Sequence, residues 1–335
     1  MKVLVTGGCG FIGSNFIRLM LAKHPDWKIV NLDKLTYAGN PANVVSVADD
    51  PRYQFVKGDI ADPVVVEGIL AEGGFDAIVN YAAETHVDRS IMDPSAFLKT
   101  AVFGTYVLLE AARTFNVPRF IQVSTDEVFG AVMEGESDDT APFEPRSPYS
   151  AAKAAGDHLA ASYFTTFGTP VIITHACNMY GPYHYPEKLF PLFITNLLEG
   201  KKVPVYGDGM QVREWMHIDD HARAIELLLE KGVPGVSYNI GTGERVPNLE
   251  ITKQILALTG RDESFVEYVK DRAGHDRRYA INSDKLRTEL GWAPEITLAS
   301  GLVSTVEWYK QNEDWWKPIK NGEYLNYYEA QYNKR

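Results

Sequence analysis

Residues 2–6, KVLVT, form a short apolar run rich in β-branched side chains. After an intervening glycine loop, apolar positions recur with helical spacing at Phe16, Leu19, Met20 and Leu21, a pattern that predicts strand, tight loop and helix. Further apolar runs at 28–32, 53–57, 77–80, 120–124 and 171–175 alternate with helical stretches such as 99–114 and 149–167. Strands that alternate with helices of this length predict an α/β chain with a Rossmann-type, doubly wound parallel sheet. Beyond Asn178 the pattern changes to loops rich in Pro, Tyr and Gly, then to short strands and helices. The expected division is a larger domain over 1–177 and a smaller C-terminal α/β domain over 178–335. The segment VREWMHIDDHARAIELLLE again reads as strand or loop followed by helix, so the chain is expected to rejoin the first domain over about 214–240. The segment from Trp308 to Arg335, rich in Trp, Tyr and charge, is read as docking or capping structure without chemistry.

Composition changes this picture little. The 335 residues are 45% hydrophobic and 23% charged, an ordinary globular balance. The formal net charge of -11 argues against nucleic acid as a partner, since backbone binding needs clustered Lys and Arg. The two cysteines, Cys9 and Cys177, give no disulfide framework and suit a reducing compartment. No apolar run reaches membrane-spanning length, and Met1 leads directly into the first strand, so a cytoplasmic, unexported protein without a membrane partner is expected.

The chemistry sits where the strands end. In TGGCGFIGS, Gly7, Gly10 and Gly13 follow a strand and open a helix, where small residues let the backbone approach a pyrophosphate. Asp33 ends the next strand, the position at which a carboxylate accepts hydrogen bonds from a ribose and repels a 2′-phosphate, favouring NAD over NADP. Lys34 beside it weakens that exclusion. Asp59 and Ile60, after the third strand, are placed to meet adenine. Tyr149 and Lys153 stand four apart in YSAAK, on one face of a helix. An ammonium near a phenol is expected to lower the phenol's pKa toward neutrality and make it a base for an alcohol proton. STDEVFG puts Ser124, Thr125, Asp126 and Glu127 at the carboxyl edge of the sheet. Hydride transfer alone does not need two adjacent carboxyl groups, but elimination of water does, one taking a carbon-bound proton while the other protonates the leaving hydroxyl. Crowding is expected to drive their pKa values apart.

Taken together, TGGCGFIGSN, LDKLTYAGN, AAETHVDRS, STDEVFG, SPYSAAKA, YGPYHYPEKL, YGDG and DRAGHDRRYAIN resemble, in order and over nearly the whole chain, the dTDP-glucose 4,6-dehydratase family of extended short-chain dehydrogenase/reductases. The resemblance implies a hydro-lyase of deoxysugar biosynthesis. Tyr149 would remove the sugar 4-hydroxyl proton as hydride passes to NAD, Glu127 the C5 proton, and Asp126 would protonate the C6 hydroxyl. Hydride returns to C6, giving a 4-keto-6-deoxy sugar. It further implies that Phe11, Ile12, Asp33, Lys34, Leu35, Thr36, Asp59, Ile60, Tyr81, Ala82, Ala83, Thr100, Tyr149 and Lys153 line the NAD site. The nucleotide sugar, dTDP-glucose in the family, would be held by Thr85, Thr125, Asn178, Lys188, Leu189, Pro204, Tyr206, Arg213, Asn248, Arg272 and His275. Thr125 is also counted with the catalytic set, no metal is expected, and His86 and His217 are read as core or supporting residues. A homodimer packed through 99–114 and 149–167 is implied as well. Ala101, His175 and Met179 stand where the family commonly has Asn, Arg and Asn. The alternatives are a nucleotide-sugar 4-epimerase or decarboxylase, from which Asp126 and Glu127 discriminate, and a non-catalytic NAD- or sugar-binding regulator.

Overall fold

In the computed structural model the described residues are 1–272 and 274–320, with Gly322, Tyr324 and Tyr328. Seven strands build one sheet: β1 (Lys2–Thr6), β2 (Lys28–Asp33), β3 (Tyr53–Lys57), β4 (Ala77–Asn80), β5 (Phe120–Thr125), β6 (Val171–Ala176) and, after three strands that lie elsewhere, β10 (Ser237–Ile240). Their spatial order is β10-β6-β5-β4-β1-β2-β3, every pair parallel. The order reverses between β1 and β4, so two adjacent strands send their connections to opposite faces and leave a crevice at their carboxyl ends.

Both faces of the sheet are covered, which is why its inner strands read as continuous apolar runs. On β1, Val3 and Val5 join Phe16, Ile17 and Met20 of the helix Phe11–Lys23 and Ile225 and Leu228 of the helix Ile218–Lys231. Leu4 points the other way, into a core with Leu108, Leu109 and Ala160 from the helices Thr105–Thr114 and Pro148–Phe167. Each such side chain contributes roughly 1.5–3 kcal/mol by leaving water. The strand positions follow the expected pattern with β2, β5 and β6 one residue longer. The 99–114 stretch is not one regular helix: Lys99–Gly104 is a π-turn that passes into the α-helix Thr105–Thr114.

The remaining strands form a smaller body. β7 (Asn178–Tyr180), β9 (Val212–His217) and β11 (Arg245–Pro247) make one sheet, and β8 (Val203–Tyr206) pairs with β12 (Val266–Val269). A third core gathers Tyr180, Phe190, Trp215, Ile251, Leu302, Tyr309 and Trp316. Trp308 and Trp315 pack on this core, while the tail residues 329–335 lie outside the described residues.

The helix that carries Tyr149 and Lys153 is set by its first turn. Pro148 occupies N1, Ser147 Oγ accepts the Ser150 amide at 3.1 Å, and Ser150 Oγ accepts the Ser147 amide at 3.1 Å, a reciprocal capping box. Replacing Ser147 by Ala should cost about 1 kcal/mol of folding stability, read as a lower urea midpoint with an unchanged slope.

Candidate active site

A single cleft runs along the carboxyl edge of β1, β2, β4 and β5 and continues under the smaller body. The glycine loop forms its floor. A Cβ on Gly7, whose φ is +66°, would lie 2.8 Å from the Ala82 backbone, and one on Gly13 would lie 2.6 Å from the Gly7 carbonyl oxygen. Only hydrogen fits at either position, which leaves a shallow cradle before the helix Phe11–Lys23, of the kind that admits a pyrophosphate against backbone amides. Asp33 accepts the Cys9 amide at 2.8 Å and the Leu35 amide at 2.7 Å. These two bonds hold the carboxylate at the end of β2, and burial pushes its pKa up against them. The ammonium of Lys34 lies 2.9 Å from Asp59, so this cation is already matched by a carboxylate. The donor set therefore fits a dinucleotide with an unphosphorylated ribose.

Of the residues expected at the cofactor site, Gly7, Gly10, Phe11, Ile12, Gly13, Asp33, Lys34, Thr36, Asp59, Ile60, Tyr81, Ala82, Ala83, Thr100, Tyr149 and Lys153 line the cleft. Leu35 does not. Its φ of +58° turns the side chain back against the core of the large sheet, and its amide serves Asp33 instead. Thr85, Thr125, Asn178, Lys188, Leu189, Pro204, Tyr206, Arg213, Asn248, Arg272 and His275 also line the cleft, although they come from both bodies.

β5 delivers the reactive groups. Thr125 caps a 3₁₀ turn, Asp126–Phe129, by accepting the Glu127 amide at 3.2 Å. This turn presents two consecutive carboxyl groups to the cleft. Lys153 is buried and donates to the Val123 carbonyl at 2.7 Å, which fastens its helix to β5 and leaves Tyr149 one turn earlier at the cleft wall. The phenol behaves differently from the expectation: its pKa is pushed up, first by burial, then by Glu127 and Asp126, with a Thr125 hydrogen bond as the opposing influence. Lys153 donates to a carbonyl and is itself shifted down by burial, and burial remains the largest influence on Tyr149.

The two carboxyl groups are not equivalent. Burial raises both. Against this, Glu127 faces Arg272, Lys188 and Arg213, all lowering its pKa, with Asp276 raising it, whereas Asp126 faces Glu127 and Glu214 as added negative charges, opposed by Arg213 and a Thr125 hydrogen bond. Asp126 is thus held well above the ordinary carboxylate range and is the better proton donor, while Glu127 is the better acceptor. Arg213 is fixed by donating to the Asp276 carbonyl at 2.9 Å and by stacking on Tyr279 with 4.1 Å from guanidinium carbon to ring centroid. His275, which meets Asp271 at 2.6 Å, is held down to about 4 by burial and by Arg272 and Arg213.

Several residues of the site were not anticipated. His184 stacks on Phe11 at 4.0 Å between centroids. Glu187 is buried, ion-paired with Arg89 at 3.0 Å and bonded to Tyr37 at 2.8 Å. They lie inside LDKLTYAGN, AAETHVDRS and YGPYHYPEKL, yet nothing local marks them as partners. His86 lines the cleft with its Nε2 3.3 Å from the Glu187 carbonyl, and His217 caps the helix Ile218–Lys231 through Nδ1. Among the unusual positions, Met179 lines the cleft. Ala101 packs with Phe97 and Ala152 behind Tyr149, and His175 sits edge-on to Phe129 and Phe143, 3.6 Å from Asp157.

Comparison with known proteins places this geometry. Residues 4–305 match the family model described as GDP-mannose 4,6 dehydratase. The chain is 50% identical over 325 residues to a dTDP-glucose 4,6-dehydratase of Streptomyces niveus, covering 96% of each. It is 47% identical over 347 residues to that of Neisseria meningitidis, covering 96% of this chain and 97% of the relative. The chain belongs to the dTDP-glucose 4,6-dehydratase family. Within it, the crystal structure of the Streptomyces venezuelae member DesIV, solved with NAD bound, superposes with a TM-score of 0.93 at 50% identity over 96% of this chain and 100% of that one. The UDP-glucose 4-epimerase of Thermus thermophilus shares the architecture at a TM-score of 0.86, but only 30% identity, over 93% of this chain and 100% of that one.

A carboxyl group whose folded pKa is raised costs stability once pH climbs from the ordinary unfolded value through the folded one, because the folded state must then give up a proton it holds more tightly. The Asp126→Asn protein should therefore unfold at higher denaturant than the parent at pH 8, with the gap closing as pH approaches 4, measured by parallel urea titrations.

Proposed function

We infer that the chain dehydrates a nucleoside-diphosphate hexose, dTDP-glucose, to its 4-keto-6-deoxy product with NAD as a recycled cofactor. The observation that carries this reading is the Asp126–Glu127 turn, with its unequal electrostatic surroundings, beside Tyr149 and Lys153. NAD, when bound, supplies the two-electron acceptor and a positive nicotinamide charge that favours phenolate over phenol, and it is regenerated within the turnover.

Tyr149 accepts the proton of the sugar 4-hydroxyl, helped by the Thr125 hydrogen bond that favours its charged form. Oxidation at C4 acidifies the C5 hydrogen. Glu127 takes that proton, and Asp126 gives its own to the C6 hydroxyl, so that the C6–O bond breaks and water leaves. A proton then returns to C5 as C6 is reduced. Lys188, Arg213 and Arg272 offer the charges to hold a diphosphate, and Asn178 and Asn248 offer amides for hydroxyls or base edges. A diphosphate there also offsets the cations that hold Glu127 down, so the base strengthens when substrate is in place. The pairing of Lys34 with Asp59 keeps it from serving a 2′-phosphate, which supports NAD over NADP.

The Glu127→Gln enzyme, incubated with dTDP-glucose, should lose about 10²–10⁴-fold in formation of the 4-keto-6-deoxy sugar, followed by mass detection of water loss. Undiminished dehydration would overturn the assignment, and a 4-epimerised product from the parent enzyme would replace it with the epimerase reading.

The reading includes a cytoplasmic homodimer. Among the described residues no helix is long and apolar enough to cross a membrane. Leu98, Phe103 and Tyr106 expose 53%, 49% and 42% of their surface and line one shallow groove with Val102 and Leu159, an apolar group that a second copy of the chain would cover. A Phe103→Glu, Tyr106→Glu protein should sediment as a monomer while the parent sediments as a dimer.

A further inference from the structure

Three loops that border the cleft are tied together by groups with no part in the chemistry above. The loop after β2 contributes Tyr37, whose neighbours Thr36 and Ala38 line the cleft. Its hydroxyl lies 2.6 Å from the Thr85 carbonyl oxygen, on the loop after β4, and 2.8 Å from Glu187 Oε1, on the loop after β7. The single hydroxyl proton is shared between two acceptors on two different loops. Arg89 completes the arrangement. Its Nε donates to Glu187 Oε2 at 3.0 Å and its guanidinium carbon lies over the Tyr37 ring, 3.6 Å from the centroid. Glu187 is 3% exposed, so a carboxylate and a guanidinium have been withdrawn from water at a cost that hydrophobic residues of the same volume would not incur. A buried ion pair is poor evidence for stability and better evidence for a specified geometry.

That geometry is a bridge between the loops after β2, β4 and β7. The third loop also touches the floor of the cleft, through the His184 ring stacked on Phe11 with 8° between planes and through the Pro182 carbonyl, which accepts Asn15 Nδ2 at 3.0 Å. From behind it is braced by the smaller body: Tyr309 donates to the His184 carbonyl at 2.7 Å and Tyr324 to the Pro186 carbonyl at 3.1 Å. The Tyr37 to Glu187 bridge thus ties together loops that line the same cleft as the glycine cradle.

We propose that Tyr37, Arg89 and Glu187 form a clasp that retains NAD through repeated turnovers by locking the loops after β2, β4 and β7 over the glycine cradle. The proposal rests on the reading of the chain as an NAD-recycling dehydratase. In such a reaction the electrons taken at C4 must be returned to the same sugar, so a cofactor lost between the two steps strands an oxidised sugar on the enzyme. The three residues are positioning residues: they act on the loops and not on the reacting atoms.

The experiment compares the parent with Tyr37→Phe, which deletes one oxygen and keeps the stack beneath Arg89, and with Glu187→Gln, which keeps the shape and removes the charge. Each protein is loaded with NAD and passed through a desalting column, and the bound fraction is followed over time. Both variants should release NAD at least ~10-fold faster, about 1.4 kcal/mol in retention. Their progress curves with dTDP-glucose should decay without added NAD and recover when it is supplied in excess, whereas a merely structural defect would not be rescued in this way. Circular dichroism separates misfolding from release, and a misfolded Glu187→Gln protein leaves the decision to Tyr37→Phe. A parent that holds NAD and variants that release it no faster overturn the clasp and leave the dehydratase reading standing. A parent that holds no NAD removes the cofactor reading and the clasp with it.

Discussion

The hydrogen bond from the buried Lys153 ammonium to the Val123 carbonyl is the contact on which the site's arrangement turns. An ammonium taken out of water must find an acceptor, and here the acceptor is the backbone of the strand that carries Thr125 and the two carboxyl groups. The bond therefore sets the rotation and the height of the helix Pro148–Phe167 relative to β5. Tyr149 faces Thr125 because Lys153 is held, and the capping box at Ser147 and Ser150 fixes where that helix begins. The same bond has a chemical cost. Because Lys153 serves a carbonyl, burial dominates the phenol, and the neighbouring carboxyl groups push in the same direction.

The large sheet could be read from the chain because parallel strands covered on both faces leave apolar runs, and the helices between them leave a 3.6-residue period. The amphipathic stretch after Arg213 is legible as a helix, and the helix Ile218–Lys231 lies there, followed by β10 beside β6. The short strands β7, β8, β11 and β12 have no such signature, since three or four residues carry no period. At the site, glycines, Asp33, Asp126, Glu127, Tyr149 and Lys153 announce themselves by motif and by place at strand ends. The turn of the Leu35 side chain onto the core goes with a positive φ that its residue type does not encode. Tyr37, Arg89, His184 and Glu187 were missed for a different reason: their meaning lies in who meets whom across 48 to 173 residues of chain, and spacing is silent about that. The direction of the Tyr149 shift was misjudged since a helical spacing of four identifies neighbours but not which acceptor the ammonium chooses.

The electrostatic difference between Asp126 and Glu127 belongs to the fold as a whole. Adjacent in sequence and held in one turn, the two carboxyl groups differ in surroundings because the smaller body sends Lys188 and Arg272 toward Glu127, while Arg213 acts on both. The large sheet supplies the two carboxyl groups; the smaller body tells them apart.

That body is not a separate piece of chain. After leaving the sheet at residue 177 the backbone returns to lay the helix Ile218–Lys231 against the first helix and β10 against β6, then leaves again. A chain cut at the first exit would bare the outer edge of β6 and the apolar flank of the helix Phe11–Lys23, surfaces prone to pairing with other chains. The two bodies are stitched by a double crossing, and synthesis must reach well past residue 240 before the cofactor-side sheet can close.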